Sequence, residues 1–144
     1  MEDPPLIPGA PSTLWGMSDD RVFLATIDHE ESGDRVDISV TVGYGEESHR
    51  GLASGSSESS HRARLVGEAT LRAVESIVDR HFDLSAVGTT ELGPVRVALV
   101  QVREAGWSDY LIGSALLRDG DIGSATAKAI LDALNRRISM TMAD

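Results

Sequence analysis

The chain has 144 residues, 41% of them hydrophobic but only 4% aromatic, which suits one compact domain with a core of Val, Leu, Ile and Ala. A net charge of −10 repels nucleic acid, and the arginines at 62, 64, 136 and 137 stand among acids and apolar residues rather than in a basic run. The absence of cysteine excludes disulfides, thiolate metal sites and a cysteine nucleophile, and no apolar window reaches the ~18 residues of a membrane span.

Residues 1–19 are expected to form a tail apart from the body, because Pro4, Pro5, Pro8 and Pro11 bar helix interiors and central strands. Within it, Leu6, Ile7, Leu14 and Trp15 are available to dock on the body or on a partner. Its acidic start lacks the basic region of a signal peptide, so the expected location is cytoplasmic.

Residues 20–144 read as a single α+β domain made of two pseudo-repeats, 20–79 and 80–139. Shifted by sixty positions without a gap, GDRVDISVTV (33–42) falls on GPVRVALVQV (93–102), and EATLRAVESIV (68–78) falls on KAILDALNRRI (128–138). Ser54 then meets Ser114. First strands are predicted at 22–28 and 84–90. Val36, Ile38, Val40 and Val42 alternate with polar residues, the mark of a strand with one buried face. Its counterpart at 95–102 has apolar residues at 95, 97 and 99 and on both faces near Val100, and so reads as a more central strand. Gly33 and Gly93-Pro94 mark the first turn of each half, and GYGEE (43–47) and EAGWS (104–108) mark the second. Third strands are predicted at 49–55 and 109–117. Helices follow at about 60–79 and 121–139, with stripes through Leu65, Ala69, Ala73 and Ile77, and through Ala129, Ala133, Ile130 and Leu134.

The unit is thus strand-strand-strand-helix, twice, with antiparallel sheets and the helices packed on one face of a joined sheet. The other face or an edge then awaits a second subunit, which makes a homodimer the expected state.

The stretch GSALLRDGDIGSATAKAILDALNRRI (113–138) resembles the end of the C-terminal regulatory domain of 2-isopropylmalate synthase and its relatives. The matching positions are Asp121, Ile122, Ala125, Ala129, Ala133 and Asn135, and LASG (52–55) is similar to that family's small-residue strand end. The resemblance implies two strand-strand-strand-helix units in a dimeric, non-catalytic, ligand-sensing module. The chain departs from the family where SSESSHR replaces a Gly-Pro-Val-Asp-like turn, and it carries no catalytic barrel.

RGLASGSSESSH (50–61) leads into a helix, whose N-terminus can receive an anion. It lacks the lysine of a phosphate-binding loop, and Glu58 opposes a phosphate, so it reads as a strand end followed by a loop in which Ser59 or Ser60 caps the helix. Asp119, Gly120 and Asp121 are expected to do the same before the second helix. Should a small molecule bind, this seam and its twin are the candidate positions: Ser54, Gly55 and Ser56, with Gly113, Ser114, Asp121, Gly123 and Ser124. DHEE (28–31) is read as a solvated turn, since neighbouring strand residues cannot converge on a metal. His49 and His61 flank the loop and could meet. Trp107 and Tyr110, on a hairpin, are candidate interface residues together with Trp15. No catalytic set, metal site or cofactor motif is discernible, which points away from an enzyme. The sequence supports a homodimeric regulatory module that binds a small metabolite, or a scaffold that binds a protein partner through its Pro-rich tail.

Overall fold

The computed structural model describes residues 21–143, with side chains as far as Arg137. The order is β1 (Val22–Ser32), β2 (Arg35–Tyr44), β3 (Glu47–Ser56), α1 (Ser59–Val78), β4 (Phe82–Leu92), β5 (Val95–Glu104), β6 (Leu111–Leu116) and α2 (Ile122–Ala143). This is an α+β fold built from a repeated strand-strand-strand-helix unit. Each half forms its own antiparallel sheet, ordered β1-β2-β3 and β4-β5-β6. Trp15 and the Pro-rich stretch lie outside the described residues. No helix among the described residues is long and apolar enough to cross a membrane.

The alternation in β2 places Val36, Ile38, Val40 and Val42 against α1, all fully buried. Ala98, Val100 and Val102 do the same for β5 and α2. Even irregularities are repeated. A bulge shifts the register between Leu24 and Thr26, and again between Leu84 and Ala86.

Each helix lies directly on a strand backbone. A Cβ at Gly51 would collide with the carbonyl oxygen of Ala69 and come 2.5 Å from the amide nitrogen of Ala73. A Cβ at Gly113 would collide with the carbonyl oxygen of Ala129 and come 2.9 Å from Ala133 Cβ. The alanine stripes read from the sequence are therefore the close-approach faces. The same contacts correct the gapless alignment. Val100 follows Val40 by 60 positions and Ala129 follows Ala69 by 60, yet Gly113, opposite Val100, follows Gly51, opposite Val40, by 62. The counterpart of Ser114 is thus Leu52, not Ser54. Two residues have been gained in the β5–β6 hairpin and two lost before α2.

The expected joined sheet is not formed, because helix side chains occupy strand edges. Asn135 of α2 accepts from Val22 N–H at 2.8 Å and donates to Val22 C=O at 2.9 Å. Its repeat counterpart, Glu75 of α1, accepts from Phe82 N–H at 2.8 Å. Each helix therefore holds the first strand of the other half. The opposite edges are braced too. Arg72 donates to Leu52 C=O, whereas its counterpart Asp132 accepts from Ser114 N–H at 3.0 Å. Arg136 donates to Ile112 C=O. These braces satisfy edge groups that would otherwise invite another strand.

Other local expectations change. DHEE lies within β1, because the hairpin closes later, at Gly33 with φ 64°. Asp121 caps α2 as expected, its Oδ1 accepting from Ser124 N–H at 3.0 Å. In α1 the cap position is Glu58, which makes no side-chain cap bond, while Ser59 and Ser60 fall inside the first turn.

Gly51→Ala and Gly113→Ala should each destabilise the fold by about 3 kcal/mol, since the obstacle is backbone. Gly88→Ala, with open space at its Cβ, should change stability by less than about 1 kcal/mol in the same urea titrations. Asn135→Ala should cost about 3 kcal/mol, because it strands two buried backbone groups, whereas Glu75→Gln keeps an acceptor for Phe82 and should cost under about 1 kcal/mol. Thermal melts of the two variants check that contrast.

Candidate functional site

The two residues gained in the second half change what the hairpin carries. In the first half, β2 and β3 join through Gly45 and Glu46, with Gly45 at φ 62°. In the second, residues 105–110 bridge β5 and β6. This longer loop is tied at its base by Ala105 N–H to His81 C=O at 2.8 Å and by Trp107 N–H to Glu104 C=O at 3.0 Å. It holds Trp107 and Tyr110 half-exposed at the end of α2 nearest the hairpin.

Below them lies a cavity of about 520 Å³, lined by Glu104, Trp107, Asp109, Tyr110, Leu111, Ile112, Arg136 and Arg137. Its size suits a small organic ligand. The Arg137 guanidinium stacks 3.6 Å from the centre of the Trp107 ring, and its Nε donates to Glu104 Oε1 at 3.0 Å. Arg80 approaches the other Glu104 oxygen at 3.7 Å. Glu104 is only 12% exposed and lies between two guanidiniums. Arg80 Nη1 is buried with no partner among the described residues. Arg103 lies 5.7 Å from the centre of the Tyr110 ring. Arg136 is held by two carbonyls, that of Ile112 and that of Asp132 at 3.3 Å, and its Nη2 lies 3.7 Å from Asp132 Oδ2, so it presents a fixed guanidinium at the cavity wall.

Trp107 and Tyr110 were accessible to sequence reasoning as aromatics on a turn. The arginines were not. Arg80, Arg103, Arg136 and Arg137 come from a loop, a strand and a helix, and only the fold gathers them. In the sequence Arg136 and Arg137, like Arg62 and Arg64, stand among acids and apolar residues.

The seam residues do not converge. Ser54 is on the exposed side of β3, its Oγ donating to Asp37 Oδ1 at 2.6 Å. Gly55 and Ser56 border a cleft of about 280 Å³ with Ser60, His61 and Arg64. Gly113 is buried beneath α2, and Ser114 sits at the sheet edge with its N–H on Asp132. Asp121, Gly123 and Ser124 line a separate cavity of about 340 Å³ with Ile27, His29 and Arg62. There the helix terminus is partly served by the chain itself, because Asp121 already takes the Ser124 N–H. Arg62 reaches Glu31 at 2.7 Å, and its hydrogen bond and charge hold the Glu31 carboxyl below its ordinary range. The pair is complete above the ordinary carboxylate range and is lost as pH falls through the lowered value.

The repeat relates this cavity to another. A cleft of about 370 Å³ is lined by Ser60, Ala63, Arg64, Val87, Thr89 and Ile122 among others. These occupy the repeat positions of Gly120, Gly123, Ser124, Ile27, His29 and Arg62. The two clefts differ in chemistry, so neither position shares a preserved ligand set.

His49 and His61 are not brought together. His49 Nδ1 meets Ser76 Oγ at 3.0 Å near the end of α1, whereas His61 lies in its first turn. No group of three or more His, Asp or Glu side chains placed to hold a metal ion occurs among the described residues. No family model matches the chain, and no curated protein matches it.

Proposed function

We propose that the protein is a homodimeric, non-catalytic regulatory module that binds a small metabolite in the cavity beside Trp107. The observation that carries this reading is the meeting of that cavity with an uncovered apolar sheet face. Ile112 belongs to both. On the side of the second sheet away from α2, Leu92, Val95, Ile112 and Leu116 are exposed, and Val97 and Leu99 are half-buried. Ladder pairing places Leu92 beside Val95 and Val97 beside Leu116, so the apolar side chains are contiguous. The corresponding side of the first sheet is more polar, with Asp37, Ser39 and Thr41 along β2, Ser54 bonded to Asp37, and Phe23 and Leu52 as its exposed large apolar side chains. Two copies stacked through their second sheets would cover the apolar face of each under twofold symmetry. The similarity of residues 113–138 to the regulatory domain of 2-isopropylmalate synthase is consistent with such a module.

Sedimentation equilibrium at micromolar concentration should return twice the chain mass of 15.3 kDa. Leu116→Glu, which leaves the cavity untouched, should yield a folded monomer, whereas Leu52→Glu on the first sheet should leave the dimer intact. A wild-type monomer under those conditions would overturn the dimer.

A further inference from the structure

The cavity beside Trp107 has a chemistry that selects among small molecules, and we infer that its ligand is a free aromatic monocarboxylate. The inference rests on the reading of that cavity as a binding site, and it names the ligand class.

The guanidiniums at the cavity bear on the choice of ligand. Arg136 and Arg137 line it together with Glu104 and Asp109, while Arg80 reaches Glu104 and Arg103 lies near the Tyr110 ring. Glu104 is engaged by Arg137 and Arg80, and Asp132 Oδ2 accepts from Ser114 N–H. An organic cation gains little from the rings, because Trp107 and Tyr110 each already have a guanidinium nearby, and another positive charge would meet Arg136 and Arg137. A neutral apolar molecule would remove water from Arg136 without replacing it. A carboxylate satisfies that guanidinium with charge-assisted hydrogen bonds.

Arg136 is suited to this task by its bracing. Its Nε and Nη2 are committed to backbone carbonyls, which fixes the plane of the fork before any ligand arrives. Asp109 lines the same cavity and makes no ion pair among the described residues. Its charge disfavours a second negative group, so a monoanion is preferred to a dianion. Trp107, Tyr110, Leu111 and Ile112 form the remaining wall, whose rings offer a flat apolar body a stacking surface.

The test uses the full chain carrying Trp15→Phe, so that Trp107 is its sole indole. Benzoate should quench Trp107 fluorescence saturably and bind at least about tenfold more tightly than benzylamine or benzyl alcohol. Arg136→Gln should abolish that advantage without changing benzyl alcohol binding. Arg72→Gln removes the brace at the corresponding edge of the first half and should leave benzoate affinity unchanged, which separates ligand contact from general loosening. Asp109→Asn should narrow the preference for benzoate over isophthalate. The inference is overturned if benzylamine binds as tightly as benzoate, if Arg136→Gln leaves benzoate binding intact in a folded protein, or if no aromatic acid binds saturably. It is also overturned if an acetylated tripeptide ending in phenylalanine binds more tightly than phenylacetate, since the site would then belong to a peptide terminus. Sedimentation run in parallel keeps the two readings apart: selective benzoate binding by a monomer removes only the dimer.

Discussion

The contact on which the structure depends is backbone against backbone. At Gly51 and Gly113 a strand surrenders its side chain so that a helix can rest on it. That spacing brings Ala69, Ala73, Ala129 and Ala133 to full burial, and with few aromatics in the chain, close approach replaces bulk as the source of packing. It also sets what helix side chains can reach. Arg72, Asp132 and Arg136 meet the strand edges because the helices lie this near.

Upon this shared scaffold the two halves diverge at the second hairpin. The short turn of the first half leaves no room for a cavity wall, whereas the longer loop of the second lifts Trp107 and Tyr110 over the side of α2. The helix supplies Arg136 and Arg137 beneath them, one braced to strand carbonyls and the other stacked on the indole. Position 132 shows the same divergence in another form. Arg72 meets a carbonyl where Asp132 meets an amide, so the equivalent braces differ in sign of charge. The two halves keep a common backbone and are not interchangeable in chemistry.

Much of this was legible in the sequence, for physical reasons. The alternation of Val36, Ile38, Val40 and Val42 reports one buried sheet face directly, and the alanine stripes report helix faces with small side chains. The apolar residues on both sides of β5 suggest a strand covered on both faces, whereas the face away from α2 is uncovered. The hairpin insertion was invisible because the flanking strands and helices keep their sixty-residue spacing, so a gain and a compensating loss cancel outside β6. The cap of α1 was misplaced because a run of serines offers several equivalent positions. The site itself was half legible. A tryptophan in a turn is a local signal, but four arginines gathered from residues 80 to 137 depend on tertiary structure alone.

The exchange of clamps between the halves has a consequence for how the protein is made. Val22, at the start of the first strand, finds its partner in Asn135, 113 residues later. A ribosome delivers the whole first repeat long before that amide exists. The first repeat therefore emerges with one strand end unmatched and must wait for the second to be completed. Two halves that look like copies of a self-sufficient unit each complete the first strand of the other.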